Sequence, residues 1–144
     1  MNRKIIKLVS YVFVCLLILN LCMLFANATE ISPYYNNAIW ANSSANVSST
    51  GILTVKNTYS AQSTTTKVVI TTYIEKRVLG IFWSKVDIGT SNDEWIDTVY
   101  TTNYSGSHSH QLEKNGTYRV TVEYVFYGTS GYTDTIEKEI EKTY

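Results

Sequence analysis

Thr117-Tyr118-Arg119-Val120-Thr121-Val122-Glu123-Tyr124-Val125-Phe126-Tyr127 alternates with a period of two. Tyr118, Val120, Val122, Tyr124 and Phe126 fall on one side; Thr117, Arg119, Thr121 and Glu123 fall on the other. Successive side chains of a strand point to opposite faces, so the pattern predicts a long β-strand with one apolar face for a core. Lys114-Asn115-Gly116 ahead of it predicts a turn, because Asn-Gly tolerates the positive φ that tight turns require. Residues 128–131 behind it predict a hairpin into a last strand over 132–144. There Ile136, Ile140 and Tyr144 are spaced by four, a spacing that a helix also brings to one side. The hairpin and the strand before it favour β.

Upstream, residues 67–78 are dense in β-branched and aromatic residues, with no glycine or proline. They predict a strand with Val68, Ile70, Thr72 and Ile74 on one face and Val69, Thr71 and Tyr73 on the other. Gly80 permits a tight turn into a strand over 81–88. Residues 94–102 and 105–112 read as two more strands, and residues 51–59 as another. Residues 41–50 are Ser/Asn-rich and fit either an edge strand or a linker. Residues 29–37 hold the only proline, Pro33, with Tyr34 and Tyr35, and Ile39 and Trp40 follow. The expected organisation is a lead-in over 29–50 and one domain over 51–144. About seven short strands separated by turn signals predict an all-β, antiparallel, Ig-like β-sandwich. In such domains a Gly-x-Tyr opens the next-to-last strand, and the tyrosine hydroxyl bonds back to upstream backbone. Gly116-Thr117-Tyr118 supplies these residues, so Gly116 and Tyr118 are expected to be structural, with the Tyr118 hydroxyl on backbone in 112–114.

The first 28 residues have a different composition. Arg3, Lys4 and Lys7 precede an uncharged apolar run over 8–26, and Ala26-Asn27-Ala28 fits the small-x-small rule for signal peptidase. This predicts a signal peptide over 1–28. The run is near the length that spans a bilayer, so the alternative is a membrane anchor over 8–26. Either way the rest of the chain lies outside the cytoplasm. Both cysteines, Cys15 and Cys22, fall in the leader, and neither follows the small residue that lipidation requires. The remaining chain has no thiol, and that leans toward a bacterial source.

Beyond residue 28 there are nine basic and twelve acidic residues, a net charge of −3. That balance argues against nucleic acid and against an electrostatic grip on anionic lipid, so a membrane is expected as a partner only if the leader is uncleaved. Asn-x-Ser/Thr occurs at Asn27, Asn42, Asn46, Asn103 and Asn115, and is best explained by the abundance of these residue types.

Ile31-Ser32-Pro33-Tyr34-Tyr35-Asn36-Asn37, a Thr-rich strand, a hairpin with Trp83, a Gly-x-Tyr-Arg-Val-x-Val strand at 116–122 and a final Lys142-Thr143-Tyr144 follow one another. The series resembles a loose group of small secreted proteins of Gram-positive bacteria without assigned function. The chain departs from that group at Glu75-Lys76-Arg77 and around His108. The resemblance implies a sandwich outside the cell and implies no activity.

Two groups of residues are candidate sites. His108 and His110 share a strand face and could hold one metal if Glu94, Asp97 or Glu113 supplied a third ligand. The plainer reading is a solvent-facing polar strand, with those carboxylates as solvated charges. Phe82 and Trp83, with Trp95, Tyr100 and Tyr104, could form an aromatic binding platform. The plainer reading is core and cross-strand packing. Because Phe82 and Trp83 are adjacent, only one can face the core, so one of them is the best candidate for an exposed binding aromatic. The alternating charges of residues 137–142 fit an edge strand protected against edge-to-edge pairing. No Gly-x-Ser-x-Gly elbow and no cysteine nucleophile is present beyond the leader.

The expected function is a secreted, non-enzymatic module without a cofactor, acting by contact with cell-envelope material or another protein. A small toxin or bacteriocin-like effector is the alternative, and a metal-assisted hydrolase using His108 and His110 the second. Thr29 is the expected first residue of the mature product. N-terminal sequencing of protein from culture supernatant checks this, and full-length chain found only in membranes would establish the anchor instead.

Overall fold

In the computed structural model the described residues are 34–113 and 115–144. The signal peptide, Cys15, Cys22 and Pro33 therefore lie outside the described residues, as does Lys114. Residues 35–144 form one compact unit. Eight strands build it: β1 (Ala38–Val47), β2 (Ile52–Ala61), β3 (Thr65–Val78), β4 (Phe82–Lys85), β5 (Glu94–Val99), β6 (Asn103–Gln111), β7 (Thr117–Gly128) and β8 (Thr133–Thr143). All pairings are antiparallel. One sheet has the order β1-β2-β6. The other runs β4-β3-β7-β8, with β5 also paired to β3. β5 takes Val68–Tyr73 and β4 takes Glu75–Val78, so two short strands share one edge of β3.

The core lies between the two sheets. All five apolar-face residues of β7 predicted above are buried, as are Val68, Ile70, Thr72 and Ile74 of β3. Leu53, Val55 and Tyr59 of β2 face them from the other sheet. The final segment is a strand: β8 runs along β7 from Tyr127↔Thr133 to Thr117↔Thr143, and Gly116 and Tyr144 exchange two backbone bonds of 2.8 and 3.0 Å just beyond. Of residues 81–88 only 82–85 form a strand; the Val86 N–H still donates to the Ile74 carbonyl at 2.9 Å, and Val86 and Ile88 pack against the core.

The sandwich starts before Gly51. Residues 38–47, assigned above to the lead-in, form β1 and pair with β2 from Ala38↔Ala61 to Val47↔Leu53. Small residues suffice in β1 because a large one reaches it from the opposite sheet. The Tyr124 hydroxyl donates to the Asn42 carbonyl at 2.9 Å and lies 2.7 Å from Ser43 Oγ. Burial raises the pKa of Tyr124, opposed by its bond to Ser43.

A buried carboxylate fastens the start of β1 to the other sheet. Asp134 Oδ2 of β8 accepts the N–H groups of Asn37 at 2.5 Å and Ala38 at 3.0 Å. The Asn37 side-chain amide donates to the Tyr132 carbonyl at 2.9 Å. The Asn37 carbonyl accepts from Gln62 N–H at 2.7 Å and from Thr65 Oγ1 at 2.9 Å. The Asn37 amide also lies against Gly128, in the space that a Cβ would occupy. Tyr118 is buried, and the Lys76 ammonium sits 5.2 Å from its ring centroid. The expected hydroxyl contact falls on 112–114, of which Lys114 is outside the described residues.

Asp134→Ala is expected to destabilise the domain by about 2–3 kcal/mol, since it strands two buried N–H donors that had a charged acceptor. A urea midpoint measures this, and an unchanged midpoint would show that the carboxylate carries no stability.

Candidate functional site

β5 and β6 follow one another in the chain but belong to different sheets, each as an outer strand. Trp95, Asp97 and Val99 of β5 and Tyr104, Gly106, His108 and His110 of β6 are half-buried, while the residues between them are exposed. Asp97 Oδ2 lies 2.8 Å from His108 Nε2 and accepts the Tyr104 hydroxyl at 3.0 Å. The His108 ring stacks on Trp95, with centroids 5.0 Å apart and planes at 10°. Tyr104 in turn stacks on Tyr59 at 5.8 Å. Gly106 makes this possible, because the Tyr104 hydroxyl lies where a Cβ at Gly106 would be. A glycine inside a strand pattern signals such a close approach. Burial pushes the Tyr104 pKa up to about 12, with the bond to Asp97 acting in the same direction.

This arrangement differs from the solvent-facing strand expected for the histidines. His108 and His110 turn toward the interior and Ser107 and Ser109 turn out. The outward Ser109 hydroxyl is 2.9 Å from Thr54 Oγ1. The His110 Nε2 atom is buried with no hydrogen-bond partner among the described residues. Of the three carboxylates considered as a third metal ligand, Asp97 meets His108, whereas Glu94 pairs with Lys85 at 2.6 Å. Glu113 lines a 410 Å³ cleft with Lys76, Lys85 and Asp87, beneath the β3–β4 hairpin. Among the described residues no three His, Cys, Asp or Glu side chains gather as a metal site. Asp97 itself is an acceptor for two side chains rather than a solvated charge.

The second candidate is the β3–β4 hairpin. Trp83 is not in the core. It pairs with Arg77 on the outer face of the five-stranded sheet, where the guanidinium carbons of Arg119 and Arg77 sit 4.6 and 5.7 Å from its ring centroid. Arg119 is fixed by Glu75 Oε2, 2.6 Å from Nη2 and 2.8 Å from Nε, and Glu139 lies 3.3 Å from Nη1. Sequence alternation places a residue on a face but cannot say whether that face is the inner one. Trp95, by contrast, packs partly against the core. Phe82 is the exposed aromatic residue of the pair, at 62%.

Phe82 is not alone. Val78, Leu79 and Ile81 at the same turn are 41%, 84% and 72% exposed. Leu79 and Gly80 both have positive φ, 52° and 72°, and Ile81 N–H closes the turn on the Val78 carbonyl at 3.1 Å. Both central residues of a tight hairpin turn adopt this conformation when its twist matches the strands, and Asn, Asp or Gly ordinarily fills it. A leucine there is sterically disfavoured. The signal was present in the sequence as an apolar run across a turn glycine, where polar turn residues are the rule. Periodicity arguments pass over it because it belongs to no face.

No protein-family description, curated protein or solved structure matches the chain.

Tyr104 should titrate near pH 12 in the folded protein, and lower in Asp97→Asn, which removes the carboxylate charge but leaves the burial. The folded state keeps this proton above the pH at which an unfolded tyrosine releases it. Its contribution to stability is therefore complete below pH 10 and is lost as the pH rises toward 12. Tyrosine ring-carbon NMR across the alkaline range reads the titration directly, and an unshifted Tyr104 would contradict the contact with Asp97.

Proposed function

We propose that the protein acts outside the cytoplasm as a non-enzymatic, Ig-like module that works by contact with cell-envelope material or another protein. The observation that carries this reading is the apolar tip of the β3–β4 hairpin. Val78, Leu79, Ile81 and Phe82 form one exposed cluster that the core does not use. Contiguous exposed apolar surface of this kind marks interaction sites, and here it is presented on a turn with leucine at positive φ.

Other observations support the reading. The first, second and sixth strands share one sheet, and the third, seventh and eighth share the other, the division found in Ig-type sandwiches. The leader and the resemblance to small secreted proteins of Gram-positive bacteria fit an extracellular site of action. The Asp97–His108 pair is occupied by Tyr104 and Trp95, an arrangement suited to closing the rim of the sandwich. The net charge of −3 beyond the leader fits a secreted domain and not a nucleic-acid partner.

Leu79→Ser combined with Phe82→Ser should lower binding to isolated cell envelopes, or to a purified protein partner, by at least about tenfold. Burying one such side chain contributes about 1.5–3 kcal/mol, and about 1.4 kcal/mol is tenfold in affinity. The denaturation midpoint should stay nearly unchanged, because neither side chain is in the core. Undiminished binding by the double variant would remove the tip from the function.

A further inference from the structure

We propose that the β3–β4 tip inserts into a lipid surface bearing anionic headgroups, a proposal that rests on the contact reading above and names its partner. The ladder of the hairpin sets the order of chemistry with depth. Val78 pairs with Phe82 next to the turn, Arg77 with Trp83 one step back, and Lys76 with Ser84 one step further. From the tip inward the rows are therefore apolar, then tryptophan with arginine, then lysine. A bilayer presents the same order: acyl chains, then an interface that favours tryptophan, then headgroups that attract cations.

Shape and charge point the same way. A Cβ added at Gly80 would meet no atom within 4 Å, so the turn stands clear of the domain. A projecting apolar knob needs no matched cavity in a fluid acyl layer. The Glu75 carboxylate is held by Arg119, and Asp87 and Glu113 lie in the cleft with Lys76 and Lys85, so the cation presented nearest the tip is the exposed Arg77. On β8, at the opposite edge of the same sheet from β4, Glu137 and Glu141 alternate with Lys138 and Lys142, and Glu139 reaches Arg119. The net charge is an average over the chain, and within the rows nearest the turn the exposed charged side chain is Arg77.

Brominated-lipid quenching of tryptophan fluorescence tests this on the full chain. Trp40, Trp83 and Trp95 all lie beyond residue 28, so the leader contributes no signal. A Trp40→Phe background removes the exposed tryptophan of β1, and Trp83→Phe in that background identifies the share due to the hairpin. On vesicles of phosphatidylcholine with brominated phosphatidylglycerol, Trp83 emission should be quenched. Leu79→Ser with Phe82→Ser should weaken the apparent vesicle affinity of the tip by about tenfold or more. Raised salt should weaken it as well. A retained leader would hold native and variant chains on the vesicle alike, so the comparison reads the tip.

Absence of Trp83 quenching, or quenching indifferent to the tip substitutions, overturns the lipid proposal. A photo-crosslinking residue at position 79, used on whole cells, separates the two levels of the argument. Crosslinks to a protein without lipid quenching overturn the lipid partner and leave the contact reading standing. Neither crosslink nor quenching overturns both.

Discussion

Val68 faces Phe126, Ile70 faces Tyr124, Thr72 faces Val122 and Ile74 faces Val120 along the ladder between β3 and β7. The register cannot move by one residue without turning this entire inner face to solvent, because side chains alternate at every step. Everything else is placed by that ladder. The free edge of β7 takes β8, and the free edge of β3 takes β5 and β4. Tyr124, held in register, projects its hydroxyl across the core to β1. Asn57 of the facing sheet donates to Thr72 Oγ1 at 2.9 Å, a second polar tie through the interior. These ties cost desolvation but fix which strand faces which.

Both candidate sites derive from the edges of this frame. At one rim, β5 and β6 bring Asp97 to His108 and Tyr104 from opposite sheets, and aromatic stacking on Trp95 and Tyr59 completes the closure. Asp97 thus accepts from a tyrosine whose pKa is pushed up to about 12 and lies 2.8 Å from the His108 ring, a polar contact built into the closure. At the other end of β3, the strand runs past the last residue paired with β7 and carries the turn beyond the sheet. Glu75↔Arg119 is the next-to-last rung of the ladder, and the same Arg119 lies over Trp83. The register that builds the core therefore also sets the orientation of the residues behind the tip.

The sequence by itself determined the class of fold and the inner faces of its two longest strands. Alternation over 117–127 and 67–78 reports directly which side of each strand meets apolar surroundings, since hydrophobic burial acts on every second residue. Gly116 and Gly128 marked the two ends of β7, although neither takes the positive φ expected of a turn glycine and the close fit of Gly128 against Asn37 was not legible. The sequence of β1 fits a strand or a linker alike, because alanine, serine and asparagine carry a weak pattern and the side chain that makes them suitable, Tyr124, is distant in the chain. Only tertiary structure decided that Trp83 lies on the outer face, that His108 and His110 turn inward, and that Asp97 joins Tyr104 and His108. Periodicity tells a strand which residues share a side. Which element covers that side depends on how two sheets close over one another, and that is set by contacts between residues that no local pattern connects.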